Sequence, residues 1–339
     1  MAPNLFHYAT KELSQDAFIC WLLAWADKEC AGEDEALNTL GLSLVNKFVE
    51  MHRTPRQKTP MTVKVHRQLM RADVVAEIGD RVVILIEDKV HAGLHGDQLV
   101  RYRQEMEEKF QDKVIIPVFL KTGDQSSYEE VEQAGYQLLL RDQILGLLRP
   151  WKGRISNSIF SDFLDNLESR EAQVESYATK PVSVWTGEWD PWIGFYKCLQ
   201  RDLSSGIQWD YVSNASGGFL GAWWHLTDWT DPSTGIEHEV YLQIEQGPLC
   251  FKIAVNQSEA DRAALRARWH TQLTATAREM GIDVQRPARM RSGSYMTVGR
   301  IELKHWMARH SDGLLNLPGT IATLRDAALV LDQAVTERT

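Results

Sequence analysis

RADVVAEIGDRVVILIEDKV, residues 71–90, reads as two extended runs separated by Gly79-Asp80, a break of the kind that turns a hairpin. Val82 to Ile86 is continuously apolar, so this strand is expected centrally in a sheet, with helices on both faces. The run ends abruptly in Glu87-Asp88-Lys89. Charges at the end of a buried strand are costly unless they are paired or bind a metal. Alternation along the strand puts Glu87 and Lys89 on one face and Asp88 on the other. Asp73, early in the first run, can join Glu87 only through an odd loop or a bulge. A strict two-residue loop of Gly79-Asp80 would align it with the even-numbered residues of the next strand.

For Glu87 and Lys89 alone, a salt-bridged strand end is the ordinary reading. Asp73 at hairpin distance shifts the balance towards a reactive site. Phosphodiester hydrolysis needs a divalent cation, a nucleophilic water and a positive group near the developing charge. Hard cations such as magnesium take oxygen ligands, and carboxylates on rigid strands supply them.

Working outward, residues 10–27, TKELSQDAFICWLLAWAD, are expected as a helix capped by Thr10, with Leu13, Ala17, Cys20, Trp21 and Ala24 on one stripe. A second helix should cover Asp34 to His52. The Thr54-Pro55 and Thr59-Pro60 pairs then mark a loop, and the alternation of Val63 and Val65 predicts a strand over 61–69. Beyond the hairpin the pattern predicts a helix over 97–110, a buried strand over 113–120 (KVIIPVFL) and a short strand near 135–140. Helix, strands, helix, strand in that order indicates a mixed α/β sandwich.

A chain of 339 residues favours two domains. The pattern weakens between Ser176 and Pro191, which sets the expected units at 1–175 and 180–339. The second reads as α+β, with helices near 192–203, 258–280 and 317–335 and strands near 219–226, 239–245, 249–255 and 293–298. Its tryptophans, Trp185, Trp189, Trp192, Trp209, Trp223, Trp224 and Trp229, are expected mainly in its core, with base stacking as the alternative. The basic stretch Arg286 to Arg300 could touch phosphates or form a solvated strand, and no catalytic constellation is visible in this half.

No uninterrupted apolar stretch reaches membrane length and the N-terminus has no secretory pattern, so a cytoplasmic protein with no membrane partner is expected. The four cysteines are scattered without a CxxC pair, which argues for buried free thiols. A net charge of −9 rules against coating nucleic acid by bulk electrostatics and asks for a local patch. One candidate is the stretch with Lys47, Arg53, Arg56, Lys58, Lys64, Arg67 and Arg71, opposed only by Glu50. Lys64, Arg67 and Arg71 are its nucleic-acid-contact candidates. His91 and His95 have a spacing that could bind zinc on a helix, but Gly93 and Gly96 favour a loop.

The segment Asp73 followed by Glu87-Asp88-Lys89 resembles the PD-(D/E)XK nuclease superfamily, whose signature is an Asp on one strand and acid-x-Lys on the next. Arg71-Ala72 stands where the name-giving Pro would be. Gln98-Leu-Val-Arg-Tyr102 looks like the QxxxY motif of the RecB and lambda-exonuclease branch, and its two side chains share a helix face. Glu12 matches the acidic residue that many members carry on the helix before the sheet, with Asp16 a second candidate one turn later. The resemblance spans roughly residues 1–150. It implies an α/β fold with a restriction-endonuclease-like mixed sheet flanked by helices, magnesium or manganese as cofactor, and hydrolysis of nucleic acid, DNA first. In its terms Asp73 and Glu87 bind metal, with Asp88 through its backbone carbonyl and Glu12 as further ligands. Lys89 positions the water or stabilises the transition state, while Gln98 and Tyr102 orient substrate. Such pairings of domains point to phage defence or DNA processing, and a homo-oligomer is compatible with them. A non-catalytic binding module on the same fold and an RNA-directed nuclease are the alternatives.

Overall fold

In the computed structural model, which describes residues 3–55, 61–90, 96–203, 206–214, 217–257, 261–290 and 292–336, the chain forms two compact units, Met1–Ala172 and Gln173–Thr339. The first contains α1 (Glu12–Ala24), α2 (Glu35–Met51), β1 (Val63–Leu69), β2 (Ala72–Ile78), β3 (Val82–Lys89) and α3 (Gln98–Lys109). There follow β4 (Val114–Lys121), α4 (Glu129–Gln133), β5 (Gln137–Leu140), α5 (Arg141–Leu148) and α6 (Ser158–Val174), which runs past the division. The strands lie in the order β1-β2-β3-β4-β5. β1, β2 and β3 are antiparallel neighbours, and β4 and β5 extend the sheet parallel to β3. This is the mixed α/β sheet flanked by helices that the sequence predicts.

Every residue of β3 is buried, as expected for a strand covered on both faces. Val82, Ile84 and Ile86 pack with Leu22, Leu44 and Phe48 of α1 and α2. Val83 and Leu85 pack on the other side with Leu99 and Met106 of α3. Ile78 pairs with Val82, so Gly79, Asp80 and Arg81 make the connection: an odd loop of three, with Gly79 at φ +53. Val74 therefore pairs with Ile86, and one step further brings Asp73 opposite Glu87. The β1–β2 connection is tighter. Leu69 pairs with Ala72 and both turn residues, Met70 (φ 51) and Arg71 (φ 70), are left-handed without being glycine.

The stripe expected on the first helix is corrected. α1 buries Gln15, Asp16, Phe18, Ile19, Leu22 and Leu23, whereas Leu13, Ala17 and Ala24 are exposed. Its N-cap is Lys11, without a side-chain cap, and not Thr10. Two polar residues on the buried stripe misled the apolar count. Asp34, in contrast, caps α2, accepting from Leu37 N at 3.0 Å.

The second unit contains α7 (Asp190–Asp202), β6 (Gln208–Val212), β7 (Phe219–Thr230), β8 (Glu237–Ile244), β9 (Leu249–Ala254), α8 (Arg262–Glu279), β10 (Tyr295–Ile301), α9 (Leu303–Trp306) and α10 (Leu317–Thr336). Its strands form an antiparallel sheet in the order β10-β9-β8-β7-β6. Trp185, Trp192, Trp209 and Trp224 are core residues together with Trp269 and Trp306. Trp189 is exposed and stacks on Tyr211 with centroids 5.5 Å apart. Strand β6, QWDYV, escaped the sequence reading because it is short and mixes polar with aromatic residues. Among the described residues no helix is long and apolar enough to cross a membrane.

Candidate active site

The end of β3 divides its charges between the two faces of the sheet. On the α3 face, Lys89 Nζ donates to Glu87 Oε1 at 2.6 Å and lies 3.9 Å from Asp73 Oδ2. Gln98 Nε2, at the first residue of α3, donates to the same Glu87 Oε1 at 2.6 Å. Asp73 Oδ2 also accepts from Asp88 N at 2.9 Å, tying the start of β2 to the end of β3. Glu12, at the first residue of α1, accepts from Val90 N at 3.2 Å and so joins the strand end. Tyr102, one turn along α3, packs in the α3-side core beside Leu99 and Met106, with the Arg101 guanidinium 5.5 Å from its ring centre. The QxxxY pair is thus divided between a polar contact and a packing contact.

Electrostatics at this end are strained. Burial pushes the Glu87 carboxyl up to about 7, and the neighbouring Asp73 charge adds to the push against the opposing pull of Lys89. Burial alone would lower the Lys89 ammonium, but Glu87, Asp73 and Glu12 outweigh it and hold it above its ordinary value. Lys89 is therefore a cation at neutral pH, suited to stabilise negative charge and unsuited to accept a proton.

On the α1 face, Asp88 accepts from Gln15 Nε2, and Gln15 Oε1 accepts from Thr122 Oγ1 at 2.5 Å. Asp16 lies beside this network. Burial raises its carboxyl to about 6, with Asp73 and Glu12 pushing the same way and Asp88 pulling against it. Asp88 is raised well above the carboxylate range, again chiefly by burial and then by Asp16. The Asp88 side chain thus points away from Glu87 and Lys89, as alternation requires. Two neighbours escaped the sequence reading. Lys121, buried at the end of β4, is the registered partner of Lys89. Arg141 is buried against Asp124 at 2.6 Å, Glu171 at 2.6 Å and Thr122 O at 2.7 Å, bracing the same strand end. A signal existed for Lys121-Thr122, since they close an apolar run as Glu87-Asp88-Lys89 do.

Lys64, Arg67 and Arg71 are all exposed along β1 and its turn. Arg56, Lys58, His91 and His95 lie outside the described residues. Among the described residues no group of three His, Cys, Asp or Glu is arranged to hold a metal ion. The donor set nevertheless suits a hard cation. Asp73 and Glu87 approach one ammonium, and Glu87 Oε2 is buried without a hydrogen-bond partner. Magnesium is commonly held by one or two carboxylates, with waters and substrate phosphate completing its shell. The four cysteines are free thiols.

The model of the PD-(D/E)XK nuclease superfamily fits residues 4–177, just over half of the 339 residues. No curated protein and no solved structure matches the chain.

Proposed function

Because this chain belongs to the PD-(D/E)XK nuclease superfamily, we propose that it hydrolyses phosphodiester bonds of nucleic acid, DNA in the first place, with magnesium or manganese as cofactor. The observation that carries this reading is the ammonium of Lys89 held at 2.6 Å from Glu87 and 3.9 Å from Asp73 at the end of a rigid, fully buried strand.

Asp73 and Glu87 are the metal ligands in this reading, with the Asp88 carbonyl as a third donor and Glu12 bordering the site. A bound divalent ion supplies positive charge to the scissile phosphate and makes a water nucleophilic near neutral pH. Lys89 keeps its proton and stabilises the charge that develops on the phosphate oxygens. Gln98 holds Glu87 Oε1 in place and orients substrate. Tyr102 supports the helix that carries Gln98, a lesser role than direct contact with substrate. Lys64, Arg67 and Arg71 offer an exposed basic edge for the backbone of the nucleic acid. Residues 1–175 carry the chemistry, and 180–339 form an accessory module that senses, recruits or dimerises. The QxxxY spacing supports a kinship with the RecB and lambda-exonuclease branch, and phage defence or DNA processing is the setting such a pairing of domains fits.

Cleavage of linear and circular DNA, single- and double-stranded, and of RNA, with and without magnesium or manganese, tests the reading. Metal-dependent cutting that Asp73→Ala and Lys89→Ala both abolish is expected, and the circular substrate reports internal cleavage. An inert wild type on every substrate would overturn it and leave the non-catalytic binding module.

A further inference from the structure

A second feature adjoins this site. Between the start of α1 and α6 lies a cleft of about 260 Å³ whose wall includes Val90, the residue after Lys89, and Gln15, whose amide holds Asp88. His7, Lys11 and Arg170 bring basic groups to it, and Thr10, Thr122 and Asn166 bring neutral polar ones. Phe6 and Phe163, with ring centroids 5.1 Å apart, supply an apolar wall. Among the described residues that line it there is no carboxylate, although the chain carries a net charge of −9. Of the acids adjacent in sequence to the lining residues, Glu12 accepts from Val90 N, Asp162 from Leu5 N, Asp165 from Lys152 and Glu171 from Arg141, while Asp16 is buried beside Gln15. α1 starts here without a side-chain cap, which adds backbone N–H groups seeking acceptors.

We propose that this cleft binds a phosphate group of the substrate strand other than the one being cleaved, with Lys11 and Arg170 as its countercharges. The inference rests on the nuclease reading and deepens it: the cleft lies on the α1 side of the end of β3, where Glu12, the residue after Lys11, accepts from the N–H of Val90, the residue after Lys89. Gln15 and Thr122 connect the cleft wall to Asp88 by side-chain hydrogen bonds, and the Asp88 N–H donates to Asp73. A chain of hydrogen bonds thus runs from the cleft wall to Asp73.

The test is binding of a fluorescein-labelled single-stranded DNA oligonucleotide to the full-length protein by anisotropy across a salt series, for the wild type, Lys11→Gln, Lys11→Gln with Arg170→Gln, and Lys89→Ala. Each lost phosphate contact should reduce the salt slope by about 1. Lys11→Gln is expected to weaken binding about tenfold, and the double variant about 100-fold. Inorganic phosphate should stabilise the wild type in a melting assay but not the double variant, which separates a free anion from a strand phosphate. Lys11 is exposed, so Lys11→Gln keeps the test valid if the Arg170 change impairs folding. Unchanged affinity and salt slope in Lys11→Gln, with Lys89→Ala inactive, overturns the cleft and leaves the nuclease reading standing. Stabilisation by inorganic phosphate alone, with no oligonucleotide bound, makes the cleft an anion site unrelated to substrate and also overturns the proposal. If no nucleic acid is cut but Lys11→Gln still lowers affinity and salt slope, the cleft survives and the enzyme reading fails.

Discussion

Two regions of this molecule bury carboxylates, and they treat them in opposite ways. At the end of β3, Asp16, Glu87 and Asp88 are each about 1 % exposed, and each has at least one oxygen buried without a hydrogen-bond partner. All three are pushed above the ordinary carboxylate range, first by burial. In the second unit Asp231 is 2 % exposed but richly supplied. It accepts from Ser233 N at 3.0 Å, Ser233 Oγ at 2.5 Å, Thr234 N at 3.1 Å and Arg268 at 3.1 Å. Burial alone would raise its carboxyl, but these donors hold it well below the usual range. A buried acid that exists for the fold is given its donors. An acid left short of them costs stability, and a cation arriving from outside can repay that cost.

The comparison breaks most decisively at Lys89. Replacing it by Ala should lower the cleavage rate by about 1000-fold or more, on the order of 4 kcal/mol of transition-state stabilisation, measured under single-turnover conditions. Retention of more than a tenth of the activity would remove Lys89 from the chemistry.

Asp231→Ala should behave in the opposite sense, destabilising the fold by about 2–4 kcal/mol in urea titration while leaving cleavage by the folded protein intact. The sign with pH follows from its depressed carboxyl. Its contribution is present above the ordinary carboxylate range and fades as pH falls below it. A neutral effect on stability would show that donors around a buried acid do not mark a structural one here.

A smaller effect sharpens the contrast. Asp16 has its folded carboxyl raised to about 6, so its favourable contribution is present below 3.8 and disappears as pH rises through about 6. Asp16→Asn should therefore stabilise the protein at pH 8 by about 1–2 kcal/mol and have little effect near pH 4. Equal effects at both pH values would show that its ionisation carries no cost.

Magnesium at ten times its Kd should stabilise the wild type by about 1.4 kcal/mol, seen as a rise in melting temperature. Glu87→Gln should lose most of that rise, and the metal effect in the wild type should weaken as pH falls through about 7, where Glu87 gains its proton. A rise that survives Glu87→Gln would move the cation elsewhere.

Periodicity and composition made most of the sheet legible. Val82 to Ile86 announced a strand covered on both faces, and the charges after it announced a site, because both signals are local to the chain. The stripe on α1 was misread, since Gln15 and Asp16 are polar residues that tertiary contacts bury. Tyr102 shares a helix face with Gln98 as expected and is largely buried in the α3-side core, a burial that depends on tertiary packing and not on helix periodicity.

The sequence by itself determined the alternation that sets Glu87 and Lys89 apart from Asp88, since strand geometry allows nothing else. It also stated a condition it could not resolve, the parity of the turn after β2. Only the tertiary structure decided that Arg81 joins the loop, which turns Asp73 towards Glu87, because register is a property of two paired strands. It alone brought Gln98 and Glu12 to the end of β3 and Lys121 and Arg141 to the neighbouring end of β4, and gathered Lys11 and Arg170 at the cleft. Those meetings depend on chain segments far apart in sequence, whose proximity follows from packing the helices onto the sheet.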